Sequence, residues 1–270
     1  GLDLRTRSAE WTLFERSIEA ELAGIQTEID ERCYRLYDLD EADRRVISEG
    51  LVGGAGDASE LGAEEEVQED LDQSRTTLGE ADLAGELMSW LVGVSFGRFD
   101  VRLATGTRRL PSTPEPFDPL PRCSPAVISG AEERALRQSP EQYPLAFPRP
   151  GLLVDDQGHA DDLLTAVRES IGAVPVVCSG EWWHDLVGLL HLGGDDLRAW
   201  LARTFFDQHL KRYTKRRKAP IYWQLATPSA RYSVWLYAHR LTRDSFFQIQ
   251  NDVVATKLAH EERKLAGLVQ

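Results

Sequence analysis

Residues 206–237, FDQHLKRYTKRRKAPIYWQLATPSARYSVWLY, join a dense basic run, a proline and two aromatic-rich stretches in one segment. Pro220 has no amide hydrogen, and its ring clashes with a preceding helical turn, so a helix arriving through the basic run must stop before it. Beyond it, residues 221–227 and 232–238 are rich in aromatic and β-branched side chains. Pro228-Ser229-Ala230-Arg231 separates them with turn chemistry. Helix, break and hairpin in this order point to a mixed fold. The chemistry is equally specific. Lys211, Arg212, Lys215, Arg216, Arg217 and Lys218 can neutralise phosphates, and aromatic faces stack on bases or fill a core. The competing reading is a solvated helix end followed by an ordinary buried hairpin, because charge runs commonly just face water.

The rest of the chain is acidic. Its 270 residues carry a formal net charge of −13, which argues against a protein that coats a polyanion with its whole surface. One local basic face can still meet one. This length suits one large core or two modest domains. Cys33, Cys123 and Cys178 lie far apart with no CxxC or Cys/His ligand spacing, which favours free thiols in a reducing, cytoplasmic compartment. No apolar run approaches a membrane span, and no signal peptide precedes the first helix. The chain opens on Gly1, as a tag remnant or a piece of a longer polypeptide would.

Periodicity organises the chain into four segments: a helical one (1–48), an acidic flexible linker (49–82), an apolar helix with a Pro-rich connection (83–150), and a helical domain carrying the basic helix end and the aromatic hairpin (151–270). In 9–47, Trp11, Phe14, Ile18, Leu22, Ile25 and Ile29 recur at three- and four-residue steps and share one helix face. Asp40 is a suitable N-cap for a second short helix, and the pair needs an outside surface to bury its stripe. Residues 50–72 combine low hydrophobicity with like charge, the signature of a solvated tether. Leu83, Leu87, Trp90, Leu91 and Val94 mark a buried helix over 83–96; 98–103 is expected to be extended and 105–150 irregular. A strand over 151–154, helices over 161–171, 181–190 and 194–213 (Asp195 as N-cap), the hairpin, and a last helix over 245–268 capped by Asp244 complete the pattern. The expected class is α+β, mainly helical: amphipathic helices with a small antiparallel β-hairpin element and a long Pro-rich connection.

No catalytic constellation assembles. There is no GxSxG elbow and no GxxxxGK[ST] loop, and His184 and His191 are too far apart to share a metal from successive turns. Glu262-Arg263-Lys264 has the form of a nuclease triplet but lacks a strand with a partner Asp. Asp155-Asp156 and Asp161-Asp162 could hold Mg²⁺, yet helix capping and dipole compensation explain them more simply.

Three blocks carry a family resemblance. LMSWLVGVSFGRFD (87–100) resembles the ISYxVGxxFGRY signature found downstream of the catalytic core in large adenine-specific DNA methyltransferases of phage defence. These are the PglX-type enzymes of BREX systems and related type IIG restriction–modification methylases. Residues 206–236, extended by His239-Arg240-Leu241 and Thr242-Arg243-Asp244, are similar to that family's DHxKRYxKxxRKxPIYWxxxSPxGSYxxxxYxHR region. IDERCYRLYDLDEADR (29–44) resembles its IDxxVYxLYGLxxEE helix pair, with Asp38 in place of the usual Gly. The chain departs from the family in having neither the Asn-Pro-Pro-aromatic motif that holds the flipped adenine nor the Gly-rich S-adenosylmethionine motif; its one Asn, Asn251, precedes Asp252.

The resemblance therefore implies a non-catalytic C-terminal part that positions double-stranded DNA for a methyltransferase catalytic domain on the same or another chain. S-adenosylmethionine is expected on that domain and no cofactor on this one. The expected phosphate grip is Lys211, Arg212, Lys215, Arg216, Arg217 and Lys218; Tyr213, Tyr222, Trp223, Arg231, Tyr232 and Arg240 are the candidates for base or backbone contact. No catalytic and no metal-binding residue is expected. The alternatives are a scaffold that docks a partner defence subunit through the same surface, and a stand-alone enzyme whose site the motifs do not reveal.

Overall fold

The computed structural model describes residues 4–53, 79–112, 114–115, 117–119, 121, 123–128, 136, 138–148, 151–174, 182–193, 197–217, 220–229 and 231–268. Most of the expected linker, together with Asp195, Lys218 and Cys178, lies outside them. The protein is mainly helical α+β, with one small antiparallel sheet. The chain divides into two compact units, one Arg5–Leu83 and the other Gly1–Leu4 with Ala84–Gln270.

The smaller unit is built on a helix pair, α1 (Leu4–Leu36) and α2 (Glu41–Gly53). The chain reverses at Asp38, whose φ of 52° lies in the left-handed region. Glycine adopts that conformation freely and Asp tolerates it better than most residues, which accounts for a turn at this position. The amide of Leu39 donates to the carbonyl of Tyr34 at 2.9 Å, satisfying an end carbonyl of α1. Asp40 then caps α2 as expected: its Oδ1 accepts from the amides of Ala42 and Asp43 at 2.8 and 2.9 Å. Arg44 reaches back to Glu31 at 3.0 Å and stacks 4.8 Å from the Tyr34 ring, so polar contacts tie the hairpin. The helix continues through Gly53, beyond the point where the acidic tract was expected to begin.

The larger unit runs α3 (Glu80–Ser95), α4 (Val101–Thr105), β1 (Leu152–Val154), α5 (Leu163–Gly172), α6 (Trp182–Leu189), a long helix α7 (197–217), β2 (Tyr222–Ala226), β3 (Ser233–Tyr237) and a final helix α8 (245–268). Turns of π-helix interrupt α7 at Leu201–Phe205 and α8 at Ile249–Val254. The expected extended stretch after α3 is helical instead. Asp100 accepts from the amide of Arg102 at 3.0 Å and starts α4, and only Phe99 makes a bridge, to Val127. The cap overrides the weak strand propensity of this short run. At α8 the side chain of Asp244 makes no capping bond; the Ser245 hydroxyl accepts from the Thr242 amide at 2.8 Å.

The expected hairpin is part of a three-stranded sheet in the order β1-β3-β2. β3 is central and pairs antiparallel with both neighbours: Trp235 lies opposite Leu153 of β1 and Gln224 of β2. Strand alternation sends Tyr222, Trp235, Tyr237 and Leu153 to one face. There they join Met88 and Leu91 of α3, Val167 and Ile171 of α5, and Leu197, Leu201 and Phe205 of α7 in the main core. Leu152, Val154, Val234 and Leu236 face the other side, where Ile249 of α8 covers them. With both faces covered, all five residues of β3 are buried, which is why SVWLY lacks a polar–apolar alternation. The Pro-rich connection also contributes to packing: Ile128, Tyr143 and Phe147 are buried against Val94 and Val101.

Candidate nucleic-acid interface

The basic run sits on the C-terminal half of α7. The N-terminal half is held by Phe205 and Phe206, whose rings lie 5.9 and 5.4 Å from that of Trp235. One turn further on, His209 is buried, and its Nε2 accepts from the backbone amides of Ile221 and Tyr222, both at 3.1 Å. The imidazole thus supplies an acceptor for two donors that no strand partner reaches at the entry to β2. Accepting on Nε2 requires the neutral ring to carry its proton on Nδ1. Burial, with Arg98 and Arg212 adding repulsion, pushes the His209 pKa down to about 4.

The basic run follows this anchor along the helix. Lys211 and Arg212 are exposed. Arg212 is not a free cation, because both of its terminal nitrogens bind the carboxylate of Glu86. Lys215, Arg216 and Arg217 continue the helix to its end. That end is where backbone carbonyls concentrate partial negative charge, so any grip on phosphate there must come from the side chains rather than the helix dipole. Tyr213 is half-buried, 4.7 Å from the His209 ring.

Two expected contact residues are inaccessible. Tyr222 is fully buried, stacked 5.1 Å from Phe96, and its hydroxyl faces Arg98. Burial raises its pKa. Arg240 is also buried. Its guanidinium lies 4.2 Å from the Phe147 ring and donates through Nη2 to the Gly97 carbonyl at 3.3 Å. Its Nε and Nη1 have no hydrogen-bond partner among the described residues, and burial pushes its pKa down to about 10. Both residues support the fold around the Phe96-Gly97 turn and are withdrawn from any surface.

The accessible remainder is divided by the sheet. Tyr222 faces α7, so Trp223 must point away from it, and its ring is half-exposed on the opposite face beside Leu225. Tyr232 lies on that same side, half-buried, with the Lys257 ammonium of α8 5.8 Å from its ring, and Arg231 is exposed in the turn. The basic helix end and the exposed aromatics therefore belong to two faces of one sheet.

Arg98 was not among the expected site residues, although it lies inside the FGR block. Its guanidinium sits 4.5 Å from the Phe99 ring, 5.5 Å from Tyr213 and 5.9 Å from Tyr222. Burial disfavours its charge, but the Tyr222 and Tyr213 hydroxyls outweigh that and hold its pKa above the ordinary value. The paired carboxylates have structural roles. Asp162 caps α5, accepting from the Thr165 amide at 3.0 Å, and Arg198 bridges Asp155 and Asp162. Lys257 binds Asp156 at 2.9 Å.

No protein-family model matches the chain, and no curated protein matches it.

Proposed function

We propose that this chain is a non-catalytic, DNA-positioning part of an adenine-specific DNA methyltransferase of the PglX or type IIG kind, acting in phage defence or restriction–modification. Methyl transfer belongs to a separate catalytic domain that carries S-adenosylmethionine. Such an enzyme must extrude its target base, and extrusion requires a grip on the flanking duplex. Most of that grip is made to phosphates.

The observation that carries the reading is the basic end of α7, with Lys211 exposed and the helix locked to the sheet through His209, in a chain that is otherwise strongly acidic. A cationic helix end on a rigid base can hold a backbone in register. The resemblance of residues 87–100 and 206–244 to the region following the methyltransferase core supplies the enzyme class. In the docking-scaffold alternative the same cations meet an acidic partner surface, and the duplex is then not bound.

The triple change Lys215→Ala, Arg216→Ala and Arg217→Ala tests the assignment. Phosphate contacts carry no sequence information, so affinity is expected to fall about tenfold or more for all duplexes alike. Fluorescence anisotropy with two unrelated labelled duplexes reads this directly. Unchanged affinity removes the basic run from the interface.

A further inference from the structure

Arg98 differs from the ion-paired arginines of the larger unit. Arg102 and Arg108 share the carboxylate of Asp100, Arg198 bridges Asp155 and Asp162, and Arg212 holds Glu86. Among the described residues no carboxylate pairs with Arg98. Its guanidinium is packed against the rings of Phe99, Tyr213 and Tyr222 instead. Nη1 donates to the Tyr222 hydroxyl at 3.5 Å, and the Tyr213 hydroxyl also favours its charge. Aromatic rings stabilise a guanidinium without using its in-plane donors. Those five N–H groups form a rigid fork, and two neutral hydroxyls do not satisfy it. The side chain is only half-buried, so an anion can reach it.

The cation stands where the basic run begins. Tyr213, against which it packs, directly follows Lys211 and Arg212, both exposed. Arg98 and Arg212 both act electrostatically on His209, which puts two guanidiniums near one neutral ring. The acids of the surrounding elements do not compensate Arg98. Glu86 is held by Arg212, and Asp100 by Arg102 and Arg108. Glu80 and Asp82 lie in the first turn of α3, at the opposite end of that helix. Asp207 is six residues before Tyr213, about 120° around the helix from it. A planar donor fork in a locally positive setting suits a phosphate, whose oxygens accept two parallel N–H bonds.

We infer that Arg98 binds a phosphate of the duplex backbone, which gives the grip of α7 a second point of contact on the turn after α3. The inference rests on the DNA-positioning reading of α7. The two contacts do different work. Lysines on a helix end supply charge with little direction, whereas a guanidinium already set among three rings loses little freedom on binding and fixes the orientation of the strand it holds.

The test measures binding of a labelled duplex to the full chain by fluorescence anisotropy across a range of salt. Arg98→Gln is expected to lower affinity several-fold and to reduce the slope of log K against log salt by about one. Arg98→Lys keeps the charge, and is expected to keep the slope while losing part of the affinity. A role confined to packing would lower the melting temperature of both variants and leave the slope unchanged. A second measurement needs no folded Gln variant. The Nε–Hε resonance of Arg98, assigned by its absence from Arg98→Lys, is expected to shift when the duplex is added to the wild type. A wild type that binds the duplex while this resonance stays put, or a folded Arg98→Gln with the wild-type slope, overturns the inference and leaves the grip by α7 standing. A wild type that binds no duplex overturns both.

Discussion

Trp235→Ala is expected to destabilise the larger unit by about 3–5 kcal/mol, a large part of the roughly 5–15 kcal/mol that holds an ordinary domain folded. Trp235 is fully buried at the middle of the central strand. Its ring fills the space between the sheet and α7, touching Phe205 and Phe206, and its Nε1 donates to the Ser233 hydroxyl at 3.2 Å. Truncation leaves a ring-sized cavity and removes the hydrogen-bond donor from a fully buried serine. Trp235→Phe is expected to recover more than half of the loss, since most of the volume returns. Trp223→Ala is the control: that ring is half-exposed on an edge strand, and its removal is expected to cost less than about 1 kcal/mol. Urea unfolding followed by circular dichroism measures all three. Equal losses for Trp235→Ala and Trp223→Ala would contradict the assigned register of β2 and β3.

The second large effect is on acid stability. In the folded chain His209 is held neutral, with its pKa lowered to about 4, whereas an unfolded histidine titrates near 6.5. Between these two values the unfolded state binds the extra proton and the folded state does not. Stability is therefore full above about pH 6.5 and falls as pH drops toward 4, by up to about 3 kcal/mol. His209→Gln keeps a side-chain acceptor for the two amides and removes the titration. The wild type is expected to lose much more stability than this variant between pH 7.5 and pH 4.5. Burial also raises the Asp155 pKa, so the wild-type-minus-variant difference is the quantity to read. Parallel pH dependences would mean that His209 is not buried in the neutral form.

The same two residues show what could be read in the sequence. The helix carrying His209 was evident from the spacing of Leu197, Trp200, Leu201 and Phe205, and its end was fixed by Pro220. The hairpin carrying Trp235 followed from its aromatic content and the Pro228 turn. The short strand over 151–154 was also legible, but its place in the sheet was not: Leu152–Val154 reaches β3 across more than seventy residues of chain, and nothing local encodes that pairing. Burial of Tyr222 and Arg240 is likewise a property of what packs over them, chiefly Phe96 and Phe147, and no spacing rule reports it. One error was avoidable. Tyr222 and Trp223 are adjacent in a strand, so alternation alone forbids placing both on one surface. The stripe on α1 needed an outside surface by its sequence pattern, and the helix pair leaves it exposed.

In the proposed function the basic end of α7 grips duplex DNA through phosphates. Affinity for a labelled duplex measured by anisotropy across a range of salt tests it most directly. Each neutralised phosphate releases condensed counterions, so a grip by four or five cations predicts a slope of about −3 to −5 in log K against log salt concentration. The triple alanine variant is expected to reduce that slope by about two to three. Absence of duplex binding at low salt, or binding whose affinity does not change with salt, would contradict the account.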